Sequence, residues 1–264
     1  MLTIKKVSKT FNAGTVNEKK ALDQLSLTLD DGDFVTVIGG NGAGKSTLLN
    51  MIAGVYPIDC GHIVLDGKDI SLDPEYKRAR WIGRVFQDPL MGTAADMEIA
   101  ENLALAKRRG KARTLRWGCT KEEKAAYRND LKRLGLGLED RMSSKVGRLS
   151  GGQRQALTLL MASLQRPKLL LLDEHTAALD PLTAKKVLDL TKEIVEEQQL
   201  TTLMITHNMN DAIQIGNRLI MMYDGRIIYD VKGEEKKKLT VNDLHQKFRE
   251  ASGEEFSDDR GVLI

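Results

Sequence analysis

The sequence predicts an α/β fold with a mainly parallel core sheet, an N-terminal antiparallel β subdomain and an inserted helical subdomain. Three observations predict it. Short apolar runs punctuated by turn signals fill the first part of the 264-residue chain, a helical pattern runs from about residue 96 to 149, and strand and helix then alternate to about residue 230. Alternation of that kind marks a parallel sheet covered by helices. With 41% hydrophobic residues the chain can bury a sizeable core, as one large domain or two small ones.

The elements follow in order. Residues 3–7 and 25–29 read as strands, Asp31-Gly32 as a turn, and Phe34-Val35-Thr36-Val37-Ile38 as the next strand. A glycine-rich loop comes next, and Leu48, Leu49, Met51 and Ile52 continue as a helix ending near Gly54. Ile63-Val64-Leu65 leads into Asp66-Gly67, a hairpin signal. In the helical region, Ile99, Leu103 and Leu105 mark one stretch, and Tyr127, Leu131 and Leu134 another. Beyond it the pattern predicts a helix over 153–164, a strand over 169–172, a helix over 183–197, a strand over 202–205, a helix near 209–215 and a strand over 218–223. Asp224-Gly225 turns the chain into residues 226–229. After Val231 the composition shifts to Lys and Glu, with a short helix expected over 241–252 and a polar tail containing Asp258, Asp259 and Arg260. The expected organisation is a core domain over 1–230, with the helical subdomain 96–149 inserted in it, and a C-terminal appendage over 231–264.

No apolar run, the four leucines at 169–172 included, approaches the roughly 20 residues of a membrane-crossing helix, and the first residues carry no secretory signal pattern. The chain is therefore expected to stay where it is made. Cys60 and Cys119 lie far apart without metal or redox spacing, which favours a reduced setting and structural roles. A net charge of +3 conceals a basic segment, Lys107, Arg108, Arg109, Lys111, Arg113 and Arg116, just before Trp117. That segment is either a solvated helix end or a contact for anionic lipid headgroups or an acidic partner. No aromatic interleaving or nucleic-acid module accompanies it, so no nucleic-acid partner is expected. His62 and His245 read as surface histidines.

Chemistry concentrates in three places. Gly39, Gly44, Lys45 and Ser46 satisfy the Gly-x-x-x-x-Gly-Lys-Ser pattern of the P-loop, with Asn41, Gly42 and Ala43 inside it and Thr47 after it. Glycines there let backbone N–H groups wrap phosphates, Lys45 reaches the terminal ones, and the Ser46 hydroxyl suits Mg²⁺. Strand before and helix after supply the context the motif requires. Asp173-Glu174 leaves the leucine strand at the ligand-binding carboxyl edge of such a sheet, Asp173 suited to Mg²⁺ through its water shell and Glu174 to orienting or deprotonating an attacking water. Leu149-Ser150-Gly151-Gly152-Gln153 places a glycine pair ahead of a helix, which is either an ordinary N-cap or an anion site.

Those three motifs together, over about residues 1–230, resemble the ATP-binding-cassette (ABC) ATPase family. The resemblance implies ATP and Mg²⁺ as ligands, ATP hydrolysis, and a dimer, expected to be a homodimer, in which Ser150, Gly151, Gly152 and Gln153 of one subunit close on nucleotide held by the loop of the other. It gives Gln87 the place of the loop glutamine that touches Mg²⁺ or the attacking water, Asp180 that of the inter-subunit aspartate, and His207 that of the switch histidine at the γ-phosphate. Phe11 resembles the aromatic that stacks on adenine, with a buried hydrophobic role as the other reading. His175 departs from the family's usual proline, which implies altered loop stiffness without lost chemistry, and Met161 stands where many members carry arginine.

A single compact cassette without a membrane span resembles the separate-subunit arrangement of bacterial importers. That arrangement implies integral membrane permease subunits, an extracytoplasmic solute-binding protein, and a peripheral place on the cytoplasmic face of the cell membrane. Within that group the region 94–105 and the basic segment look most similar to amino-acid uptake ATPases. Pro89, Leu90, Met91, Met97 and Ile99 are expected either to receive a permease helix or to pack as ordinary lobe core. The alternative function is a membrane-associated regulator of an envelope, lipid-handling or cell-division complex that moves no solute. A GTP-binding switch is disfavoured, since the chain has no Asn-Lys-x-Asp guanine-reading motif.

Overall fold

The computed structural model describes residues 1–111 and 118–252. Arg113, Arg116 and Trp117 of the basic segment, and Asp258, Asp259 and Arg260 of the tail, lie outside the described residues. The chain divides into two compact units, Met1–Arg78 with Leu200–Ile264, and Ala79–Gln199.

The first unit opens with β1 (Leu2–Phe11) and β2 (Lys19–Leu29), antiparallel with Leu2 opposite Leu29 and Phe11 opposite Lys19. Along β2, Leu25, Leu27 and Leu29 are buried while Gln24, Ser26 and Thr28 face out, the period of a sheet with one covered face. Both strands run longer than the alternation predicts. Left-handed Lys6 and Gln24, φ 45° and 46°, sit where the register shifts, and a bulge breaks the period that sequence reading follows. β3 (Phe34–Ile38) is buried throughout, as a central parallel strand must be. Residues 39–44 then lead into α1 (Lys45–Ala53), which stops at Gly54 in the left-handed conformation. β4 (Cys60–Leu65) pairs antiparallel with β1 and turns through Asp66-Gly67, both at positive φ, into β5 (Lys68–Asp69). α2 (Glu75–Arg78) ends the stretch.

The second unit contains β6 (Ile82–Val85), α3 (Ile99–Lys107), α4 (Lys121–Lys132), α5 (Gly151–Ser163), β7 (Leu169–Asp173) and α6 (Pro181–Gln198). β6 and β7 are parallel, Ile82 opposite Leu169 and Val85 opposite Leu172. All four leucines of β7 are fully buried, each stabilising the fold by roughly 1.5–3 kcal/mol. Ile99, Leu103, Tyr127, Leu131, Val146 and Leu157 form the core of the helical lobe, and Met161 packs against it partly buried. Leu105 lies in the same helix but is 56% exposed, because six residues past Ile99 is about 240° around it. The basic segment is also less free than expected. Arg108 makes a two-pronged ion pair with Glu123 at 2.8 and 3.1 Å, and Arg109 turns inward to the Ala162 carbonyl.

The chain returns to the first unit with β8 (Thr202–Ile205), α7 (Met209–Gln214), β9 (Arg218–Tyr223), β10 (Arg226–Lys232), α8 (Glu234–Lys237) and α9 (Val241–Ser252). β8 and β9 flank β3, both parallel to it, and β10 folds back on β9 through Asp224-Gly225. α9 buries Leu244 and Phe248 among Ile38, Met209 and Met221. The α/β class, the parallel strands, the antiparallel β sheet and the helical lobe agree with the sequence. Among the described residues, no helix is long and apolar enough to cross a membrane.

One buried cation secures the helix behind the glycine loop. Arg78 is 1% exposed and donates to four carbonyls, those of Asp73, Met51, Ile52 and Ser71, at 2.6 to 3.0 Å. Two of the four lie at the carboxyl end of α1, where a positive charge also meets the negative pole of the helix. Arg78→Ala should cost about 3 kcal/mol in urea unfolding, since it strands those acceptors; a loss below about 1 kcal/mol would mean that water replaces the guanidinium.

Candidate functional site

Parallel register builds the site in the first unit. Val37 of β3 stands opposite Ile205 of β8, so Gly39 and His207, each two residues further on, leave neighbouring strands at the same level. Parallel strands lie about 4.8 Å apart, and both residues emerge at the carboxyl edge. Thr206 N–H donates to the Val37 carbonyl and draws this edge together.

The loop between β3 and α1 tolerates no side chains where it is tightest. Gly39 has φ 152°, and a Cβ there would come 2.2 Å from the Met222 carbonyl oxygen; at Gly44, φ 97°, it would come 2.5 Å from that of Ala21. Lys45 is 7% exposed, and its Nζ donates to the carbonyls of Gly39 and Gly40 at 2.7 and 3.0 Å. Its ammonium is thus folded back across the loop. Gly44 caps α1 without a side chain, so the first N–H groups of the helix remain available to an anion. Asn41, Gly42 and Ser46 are exposed, Thr47 is half-buried and Ala43 is buried. Sequence reasoning missed Lys19, whose Nζ would lie 3.0 Å from a Cβ on Gly42 and adds positive charge beside the loop. Nothing in the Lys19-Lys20 pair ahead of a strand signals that. Phe11, half-buried at the end of β1, packs edge-on against Tyr56 at 5.3 Å, with Lys9 Nζ 5.7 Å from its ring centre.

The second unit repeats the construction. Val85 of β6 is opposite Leu172 of β7, so Gln87 and Glu174 likewise leave adjacent strands level with one another. Gln87 is exposed. The carbonyl just before it, that of Phe86, accepts from buried Gln155 of α5 at 3.1 Å, so the glutamine loop is tied to the helix that follows the glycine pair. Gln155 was not foreseen; a polar residue beside Ala156 and Leu157 in an apolar helix was the available signal. Asp173 faces Arg84 at 3.6 Å, and Arg84 lies over the Phe86 ring at 4.4 Å. Glu174 takes a left-handed backbone, φ 43°. His175 is buried, its Nε2 is 3.0 Å from Thr191 Oγ1, and burial pushes its imidazole down to about 4.

The glycine pair has a structural job. Ser150 Oγ accepts from Gln153 N–H and the Gln153 side chain accepts from Ser150 N–H, a reciprocal cap that starts α5 at Gly151, two residues earlier than predicted. Gly151 and Gly152 keep bare N–H groups in the first turn, so the cap and the anion-site readings are compatible. A Cβ on Gly152 would stand 2.1 Å from Thr183 Cγ2, so a side chain there would displace Thr183 at the start of α6. Asp180 caps α6, accepting from Thr183 N–H at 3.1 Å, with Pro181 in the first turn. Hydrogen bonding to Thr183 holds the Asp180 carboxyl below its usual value.

Among the expected docking residues, Leu90 and Met91 are exposed, Met91 by 70%, while Ile99 is fully buried and belongs to the lobe core. In the first unit Ser46 offers a hydroxyl oxygen, and in the second unit Asp173 offers a carboxylate. Among the described residues no cluster of three His, Cys, Asp or Glu side chains could cage a metal by itself. Ser46 and Asp173 each present the hard oxygen donor that Mg²⁺ prefers, an ion that keeps several waters and so needs few protein ligands.

Comparison with known proteins places these features in company. The ABC transporter family profile matches residues 22–177. A tyrosine transport ATP-binding protein of Clostridioides difficile is 47% identical over 251 residues, 95% of this chain and 100% of that protein. A phosphonates import ATP-binding protein of Lactobacillus johnsonii is 33% identical over 97% of this chain and 99% of its own. Among solved structures, the dimeric ATP-binding cassette MJ0796 in a post-hydrolysis state with ADP and phosphate superposes with a TM-score of 0.75 at 31% identity, covering 88% of this chain and 98% of that one.

The buried imidazole makes stability depend on pH. Its folded value, about 4, lies below the usual 6.5, so the unfolded chain binds the proton first. The His175 contribution is therefore complete above about pH 6.5 and is lost as pH falls toward 4, by on the order of 3 kcal/mol. Unfolding of wild type and His175→Gln at about pH 7 and about pH 5 checks it: the wild type should lose more stability, and equal losses would refute the buried neutral state.

Proposed function

This chain belongs to the ABC transporter family, and we propose that it is the ATP-hydrolysing subunit of an importer, taking up an amino acid such as tyrosine through separate membrane permease subunits. ATP hydrolysis with Mg²⁺ is the activity of the family. The observation that carries the importer reading is likeness along nearly the whole chain to the ATP-binding protein of a tyrosine transport system, in a chain whose described residues hold no membrane-crossing helix. Likeness to a phosphonate importer's subunit at lower identity agrees with a shared engine whose cargo is chosen by other polypeptides.

The loop residues Gly39, Asn41, Gly42, Ala43, Gly44, Lys45, Ser46 and Thr47 would bind the phosphates, Lys45 reaching the terminal ones. Phe11 would stack on adenine. Ser46, Gln87 and, through water, Asp173 would hold Mg²⁺, which when bound neutralises charge on the transferring phosphoryl group. Glu174 would orient or deprotonate the attacking water, and His207 would contact the γ-phosphate. Ser150, Gly151, Gly152 and Gln153, with Asp180, would complete the site of a second copy, whose N–H donors at the start of α5 suit phosphate. Closure of that dimer on ATP and reopening after hydrolysis would move the helical lobe and Gln87 against the permease, with Leu90 and Met91 in the docking surface. This assembly would sit on the cytoplasmic face of the membrane and serve an extracytoplasmic solute-binding protein.

Glu174→Gln should keep ATP binding and form ATP-stabilised dimers while turnover falls at least about 100-fold. Near-normal turnover in a steady-state phosphate-release assay would sink the role of Glu174. For the transport assignment, the tagged full chain in native membranes should co-purify a multispanning permease, and its deletion should abolish uptake of labelled tyrosine or a related amino acid. Recovery of a cell-division or envelope factor alone, with uptake intact, would overturn it.

A further inference from the structure

Glu174 occupies a left-handed conformation, φ 43°, that costs a residue with a side chain on the order of 1–3 kcal/mol and persists only where its surroundings impose it. Its carbonyl accepts from Ala177 N–H at 3.0 Å, closing a four-residue turn with His175 and Thr176 at the corners. At the first corner a proline ring would preset the backbone. Histidine has no such ring, so any added stiffness must come from what its side chain holds.

What it holds is α6. His175 is 2% exposed and Thr191 is fully buried. The Thr191 hydroxyl has one proton, and the Val187 carbonyl, 2.7 Å away, takes it. Thr191 Oγ1 must then accept from His175, 3.0 Å away, which places a hydrogen on Nε2 of the ring. The anchor is an interior position of an 18-residue helix whose own start is capped by Asp180. Ring, hydroxyl and carbonyl thus form a short, fully donated chain from the turn into a rigid element.

We propose that His175 is a positioning residue for hydrolysis: its hydrogen bond to Thr191 fastens the turn to α6 and keeps Glu174 in the backbone conformation that the reaction uses. This rests on the reading of Glu174 as the group that orients or deprotonates the attacking water. Loss of the tether lets the turn relax, and misplacement of a reacting group by about 1 Å can cost up to 100-fold in rate. Binding of ATP, which the loop of the first unit supplies, is untouched.

The test compares steady-state ATPase kinetics of the full chain in wild type, His175→Leu, His175→Gln and Glu174→Gln. Leucine fills the space without a donor and leaves the Thr191 hydroxyl its carbonyl partner; glutamine restores an N–H donor. The expected result is a kcat about 10- to 100-fold lower for His175→Leu with KM within about twofold of wild type, and recovery of most of that loss in His175→Gln. Wild-type kcat in His175→Leu, or an equal loss in His175→Gln, overturns the proposal. Should His175→Leu fail to fold, Thr191→Val and Thr191→Ser decide: a fall in kcat with valine but not serine supports the tether, and equal kcat overturns it. Low turnover in Glu174→Gln beside a normal His175→Leu removes the tether alone, whereas normal turnover in Glu174→Gln removes the reading of Glu174 and the tether with it.

Discussion

Parallel pairing in register is the constraint on which the rest of the structure depends. In each unit two buried strands end level, and the residues two positions past a matched pair emerge together: Gly39 with His207 and Gln87 with Glu174. A slip of one residue would turn the buried leucines of β7 to the opposite face and carry Glu174 away from Gln87. Burial of β3 and β7 on both faces makes such a slip expensive, so the position of the side chains at these strand ends is set by the hydrophobic core.

Helix ends convert that placement into directed groups. Arg78 neutralises the carboxyl end of α1, leaving its amino end, with Lys45 and Ser46, to face an anion. At α5 the side chains of Ser150 and Gln153 satisfy one another's backbone donors, which leaves the glycine N–H groups between them as the open donors of that helix end. Gln155, two residues on, fastens the strand-end loop that carries Gln87. Two of the regions assigned to nucleotide chemistry are therefore joined by one helix, and displacement of that helix must be felt at both.

Much of this was legible in the sequence. The glycine loop, the acidic strand end and the Leu149 to Gln153 motif announce themselves because each is dictated by local backbone geometry: glycines where a Cβ would collide, a buried strand before the acids, a cap before a helix. The limits of reading were also physical. β1 and β2 were underestimated because bulges interrupt alternation, and apolar character alone does not say which side of its helix Leu105 occupies. Lys19 and Arg78 act through partners distant in sequence that no local pattern encodes, and for Gln155 the apolar helix around it marks the residue but not its partner. His175 lies between the cases: its departure from proline is visible in the sequence, but the threonine that holds it is sixteen positions away.

The left-handed turn at Glu174 sets stability of the fold against the acid that the turn carries. Residues that accept positive φ readily, glycine above all and asparagine next, would relieve strain there while removing the carboxylate. A more stable chain therefore lies one substitution away, and it is a chain without that acid.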